Sequence, residues 1–355
     1  MWTKTEDRTI VDGDGRVIFF SAKRFERDIA LGGCSFVCGA KPSDRPFNNE
    51  HILPEWLLRR YDLFSETIQL PNESLVRYDR YTVPCCVDCN RLMGEVIERP
   101  ISEVIQLGPD AINRFVSTSG GLLKMSVWMG LIFLKTHLKD RQLRFHLDKR
   151  KGEEKIADDY DWVHLHHLHT VVRCFYTNSL IGSGVLGSFL SLPVKIISSA
   201  GAFDFADLYF AQTMMLRLDD LALIAVFNDS CGAMSCFYDA IKEISGPVSE
   251  FQLREIMVDL AFINLRLKER PVFTSLFDME EEKHQIIADR PELALNDLDR
   301  RLRGKLFRQV FQDALEKVPF KGKTAEEVAQ LVDAGVLSFL LGDDGKFIKD
   351  GLVPH

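Results

Sequence analysis

The chain has 355 residues, 46% of them apolar and 27% charged, with a net charge of −8. This composition suits one or two cored domains and excludes both a disordered chain and a generally basic nucleic-acid coat. The charged opening MWTKTEDRTIVDGDGR carries no apolar leader, and no segment reaches the ~20 apolar residues of a membrane span. The expected location is the cytoplasm, with no membrane partner.

In chain order, TIVDGDGRVIFF reads as a hairpin around an Asp-Gly-Asp-Gly turn, within residues 1–20. SAKRFERDIAL follows as a helix with Ser21 at its N-cap, stopping at Gly32-Gly33. A cysteine-rich segment then runs to about Leu107 and ends at Gly108-Pro109. Beyond it, LLKMSVWMGLIFL (122–134) is too short for a span and reads as a buried helix. Lys135 to Lys155 forms a basic run in an acidic chain, and its part from about Lys139 to Lys155 is a candidate face for guiding nucleic acid. WVHLHHLHT reads as a strand that splits its histidines, His164 with His166 on one face and His167 with His169 on the other. ADLYFAQTMMLRL and LALIAVFND read as paired strands across Asp219-Asp220. SEFQLREIMVDLAFINLRLKER has helical periodicity, and LNDLDRRLRGKLFRQVFQDALEKV continues in helices capped by Asn296 or Asp297. A final helix starts at Thr324 with the capping box Thr-Ala-Glu-Glu.

Eight cysteines in a reducing compartment do not form a disulfide framework, and five of them lie between Cys34 and Cys89. Two tight pairs, Cys34-x3-Cys38 and Cys86-x2-Cys89, supply the four thiolates that a tetrahedral structural Zn²⁺ takes; Cys85 can replace Cys86. Cys174, Cys231 and Cys236 read as small buried hydrophobes. A four-thiolate zinc is closed and does no chemistry, so attention falls on Glu50-His51 between the pairs. A neutral imidazole with a pKa near ~6.5 is a competent base at cell pH. Glu50 is a hard oxygen ligand of the kind Mg²⁺ prefers. A helix starting at Asn90 puts Asn90, Gly94 and Glu98 on one broad face, with Gly94 leaving room for the His51 strand or a phosphate.

The combination of Cys34, Cys38, Glu50-His51-Ile52-Leu53-Pro54, Trp56-Leu57, Cys86-Val87-Asp88-Cys89-Asn90, Gly94 and Glu98 resembles the HNH endonuclease family over residues 30–100. Asn72, in a turn-like PNES context, is the only nearby candidate for the further Asn that many such enzymes carry. The resemblance implies a ββα module with zinc pinning its two ends and His51 as general base. It also implies an exchangeable Mg²⁺ or Mn²⁺ held by Glu50 and Glu98, with Asn90 in support. Hydrolysis would leave 5′-phosphate and 3′-hydroxyl ends.

The expected fold class is therefore α+β, with the module over 21–108 and a mostly helical accessory domain over 109–355 that includes a strand pair near 206–228. The expected substrate is DNA, with RNA left open, in a prokaryotic defence or mobile-element setting. An ATPase or a second copy of the chain is a candidate partner. The competing expectation is a zinc-stapled binding module that does not cut.

Overall fold

The computed structural model describes residues 1–70, 72–195, 201–311 and 323–349. The chain is α+β and divides into two compact units, Met1–Val185 with Phe273–Asp289, and Leu186–Val272 with Arg290–His355.

The first unit opens with a three-stranded antiparallel sheet of β1 (Thr3–Lys4), β2 (Ile10–Val11) and β3 (Val17–Phe19). Asp12 closes the turn, its carboxylate accepting from the backbone N–H of Asp14 and Arg16. Ser21 caps α1 (Ala22–Arg24), which runs on as a π turn over Phe25–Ala30 and stops at the two glycines. Next come β4 (Phe47–His51), α2 (Glu55–Arg60), a small hairpin of β5 (Thr67–Gln69) and β6 (Leu75–Arg77), and β7 (Thr82–Cys86). β4 and β7 pair antiparallel, from Phe47 opposite Cys86 to His51 opposite Thr82. β7 leads directly into α3 (Val87–Met93), a π turn over Gly94–Glu98, and α4 (Arg99–Gln106).

The unit does not end at residue 108. After α5 (Pro109–Val116), α6 (Ser119–Asp140) is buried around most of its circumference and packs on α4, α5, β7 and the following helix. A helix that is apolar all round needs neighbours on every side, so the compact division falls at 185/186. Among the described residues no single helix is long and apolar enough to cross a membrane.

The histidine tract is helical, a 3₁₀ turn over Trp162–Leu165 followed by α7 (His166–Val172), and not a strand. Leu165, Leu168 and Val172 recur at helical spacing and are all buried, and that stripe overrides the local alternation. α8 (Cys174–Thr177) and β8 (Leu180–Ile181) follow.

In the second unit β9 (Phe189–Pro193), β10 (Phe203–Leu208), β11 (Thr213–Leu218) and β12 (Leu221–Val226) form an antiparallel sheet ordered β10-β11-β12-β9. β11 and β12 meet across Asp219-Asp220 as their patterns predict, and both are buried throughout. α9 (Gly232–Glu243) and α10 (Glu250–Arg266) follow, α10 lying against β11 and β12 with a Ser249–Gln252 capping box. The chain then returns to the first unit as β13 (Val272–Asp278) and β14 (Lys283–Asp289), β14 pairing parallel with β8.

α11 (Arg301–Phe311) and α12 (Ala325–Asp333) complete the second unit, the latter capped by Thr324 and Glu327 as expected. α11 starts later than Asn296 or Asp297 would place it. It is Asp299 whose carboxylate accepts from the Arg301 N–H. The continuation expected to residue 318 lies outside the described residues from 312 on.

Candidate metal centre and nuclease site

Three of the expected zinc ligands come together. The sulfurs of Cys38, Cys86 and Cys89 lie within 4.8 Å of one another and all three residues are buried. Strand alternation settles the choice left open between neighbours: Cys86 joins the cluster, and Cys85 turns the other way, where burial first and the charge of Glu50 second push its thiol up against the opposing effect of Lys135. A hydrogen bond from Cys89 lowers the Cys38 thiol to about 5 against the effect of burial, so a thiolate is already favoured there. Two cations balance the sulfurs. The Arg45 side chain bonds Cys86, and Arg173, 1% exposed, lies close enough to Cys38 and Cys89 to feel their charge.

Cys34 is not in that group. The reason lies in the turn that presents Cys38, where Ser35 N–H donates to Ala40 O at 2.9 Å and Gly39 N–H to Ser35 O at 2.8 Å. Ala40 N–H then donates to the Cys38 sulfur at 3.4 Å. The turn therefore spans Ser35-x2-Cys38, and Cys34 sits one residue outside it, half-buried, its N–H on Asp28 O. Ser35 occupies the tight-knuckle position instead. Its hydroxyl is fully buried and lies close enough to the Cys38 sulfur to help lower that thiol. The chemistry of the set, three buried soft sulfur ligands within reach of one another, fits Zn²⁺.

The Glu50-His51 end of the ladder is four residues from the Phe47–Cys86 pair, about 14 Å at ~3.4 Å per residue. The imidazole of His51 is half-buried and meets the ring of Phe64 edge-on at 6.1 Å. Two exposed arginines reach Phe64: Arg59 lies 5.8 Å from its ring centroid, and Arg77 donates to its backbone O at 3.4 Å. Both are also ion-paired, with Glu55 and Asp79.

Glu50 is 7% exposed, and its partner is a buried lysine. Lys135 Nζ, from the middle of α6 and 1% exposed, donates to Glu50 Oε1 at 2.7 Å and to His51 O at 2.8 Å. Glu98 Oε1 is 3.9 Å from the same ammonium. Burial pushes the Glu98 carboxyl up to about 7; Lys135 opposes that rise and Glu50 adds to it. Mg²⁺ and Mn²⁺ favour several oxygens in open, partly hydrated sites, and Mg²⁺ sheds water reluctantly. Between Glu50 and Glu98 the central place is filled by an ammonium. The cysteine trio is also the only group of three metal-ligating side chains brought together among the described residues. The expected second divalent ion does not fit these carboxylates beside Lys135.

Other expectations resolve differently. α3 starts at Val87 behind Cys86, so Asn90 is not an N-cap but lies inside the helix, half-buried. The π turn at Gly94–Glu98 inserts an extra residue, turning Glu98 by roughly 100° from the face an unbroken helix would give it. A Cβ at Gly94 would meet no atom within 4 Å, so the strand does not approach there. Asn72 is a turn residue, accepting from Ser74 and donating to the carbonyls of Arg144 and Phe145.

The basic run does not form one solvated face. Lys135 is buried, Arg141 donates to Ile29 O and Ala30 O, and Arg144 and Arg150 pair with Glu153 and Asp148. The histidines go to separate partners: His166 to Phe20 O, His169 to Phe36 O, His164 to Asp161, and His167 stacked on Phe273 at 3.5 Å. Sequence reading missed Lys135, Arg173 and Ser35. One signal was available, a lysine inside an otherwise apolar helical stripe. Comparison with protein-family models, curated proteins and solved structures returns no match.

Proposed function

We propose that the protein is a zinc-stapled nuclease that hydrolyses nucleic-acid phosphodiesters, DNA first, with His51 as general base. The observation that carries this reading is the strand pair itself. Its cysteine end holds a thiolate cluster suited to zinc, and its far end presents Glu50-His51 beside exposed Arg59 and Arg77. In this reading the zinc fixes the fold and takes no part in the reaction.

The neutral imidazole removes a proton from water, and the hydroxide attacks phosphorus. The bond to the 3′ oxygen breaks, and that oxygen takes a proton from solvent, leaving a 5′-phosphate and a 3′-hydroxyl. Arg59 and Arg77 are placed to pair with the phosphate oxygens once they exchange their exposed carboxylate partners. Lys135 holds the His51 carbonyl, so the base stands on a fixed strand end.

Nicking of supercoiled plasmid, run beside single-stranded DNA and RNA of one sequence, tests the proposal. His51→Ala is expected to slow cleavage ~10²–10⁴-fold, the usual share of a general base. Equal, negligible cleavage by both proteins would favour the second reading, a zinc-stapled binding module. One observation supports that alternative: Glu50 is tied to Lys135 rather than open to solvent. The defence setting, and an ATPase or a second copy as partner of the second unit, remain part of this proposal and are tested by co-purification from a native host.

A further inference from the structure

We propose that the ammonium of Lys135 is the resident cation of this site, in the place where the enzymes the chain resembles hold an exchangeable divalent ion. The inference rests on the nuclease reading for its functional meaning. Its geometry stands apart from that reading.

Three oxygens surround Lys135 Nζ: Glu50 Oε1 at 2.7 Å, His51 O at 2.8 Å and Glu98 Oε1 at 3.9 Å. They come from the strand that carries the base and from the helix after the cysteine pair. Lys135 itself comes from α6, flanked by buried Phe133, Leu134 and Leu138, and α6 packs on β7 and on the Gly94–Glu98 turn. An ammonium this deep needs compensating oxygens, and these groups supply them. Burial raises the Glu98 carboxyl toward its neutral form, so two carboxylates and one ammonium leave at most a single negative charge. A divalent ion added beside the ammonium would place two cationic centres among the same few oxygens, where little water screens their repulsion. Lys135 therefore excludes the ion, pairs with Glu50, and pins the His51 carbonyl. It acts through Glu50 and His51 and is a positioning residue.

Mn²⁺ binding to the full, zinc-loaded chain, followed by electron paramagnetic resonance, reads this directly. Cleavage is measured on the same samples in buffer freed of divalent ions and after adding Mg²⁺ or Mn²⁺. Wild type is expected to show no specific Mn²⁺ site and to cleave within about twofold at the same rate with or without added ions. Lys135→Ala empties the position and is expected to gain one Mn²⁺ site at least about tenfold tighter than any in wild type, lost again with Glu50→Gln. A wild-type Mn²⁺ site that Glu50→Gln abolishes would overturn the proposal, as would a folded Lys135→Ala chain that gains none. Should Lys135→Ala fail to fold, wild type and Glu50→Gln alone still decide. A wild type that cuts no substrate under any condition defeats the nuclease reading, while the Mn²⁺ titrations go on testing the cation assignment.

Discussion

Each unit buries one cation between two carboxylates, and the two clusters are finished differently. In the second unit Arg303 donates from all three guanidinium nitrogens, to Asp259 at 2.5 Å, to Glu255 at 3.0 Å and to the carbonyls of Gly335 and Leu337. The other oxygen of Glu255 accepts from the N–H of Phe339 and Leu340. In the first unit Lys135 reaches Glu50 and a carbonyl, but Glu98 stands at 3.9 Å, beyond hydrogen-bond range. A buried charge whose partners are all satisfied binds a fold together. One left partly unsatisfied beside a half-buried imidazole marks a place where chemistry can be done.

The largest expected effect separates the units by metal. Structural zinc contributes ~10 kcal/mol or more in small zinc modules. Cys86→Ser is therefore expected to lose the bound zinc and unfold the first unit. Elemental analysis with calorimetry checks this, and a chain keeping both its zinc and its transition would refute the cluster.

Arg303→Ala comes next, at ~3–5 kcal/mol lost from the second unit, because it strands the buried Glu255 and the half-buried Asp259. Denaturant unfolding followed by hydrogen exchange should place that loss among residues 186–272; a loss below ~1 kcal/mol would show the network to be dispensable.

Acid sharpens the contrast. Burial pushes His167 and His284 down to about 4, lowers His166, and holds His169 well below the ordinary imidazole range. All four lie in the first unit. Folded, they stay neutral; unfolded, they charge near ~6.5. Between pH 6.5 and 4 the unfolded state thus binds more protons at these four sites, so the histidines cost the first unit stability as pH falls and add nothing further above 6.5. Hydrogen exchange at pH 4.5 and 7 should show it opening first, and a first unit as protected at 4.5 as at 7 would contradict the assignment.

The smallest effects come from the surface. Cys34→Ser is expected to keep the zinc, with its sulfur count by X-ray absorption unchanged, since Cys34 stands outside the trio. A drop in that count would put Cys34 back among the ligands. Arg308→Ala, which breaks an exposed pair with Asp333, should leave the thermal transition essentially where it is in the parent chain.

By itself the sequence determined what local chemistry controls. The Ser21, Ser249 and Thr324 caps, the Asp219-Asp220 turn and the buried helix at 122–134 all follow from side chains bonding nearby backbone or from apolar spacing. The grouping of Cys86 with Cys89 was legible for the same reason, since a tight pair declares itself over a few residues; with Cys38 they form a set that could hold a metal ion. Tertiary structure decided everything set by distant partners. It left Cys34 outside the cluster, put Ser35 in the knuckle, made the histidine tract a helix and drew Lys135 between Glu50 and Glu98. An ammonium 84 residues from the carbonyl it holds leaves no periodic trace in the chain. Its place was fixed only when a helix apolar on all sides had to be covered by the strands and helix that bear the site.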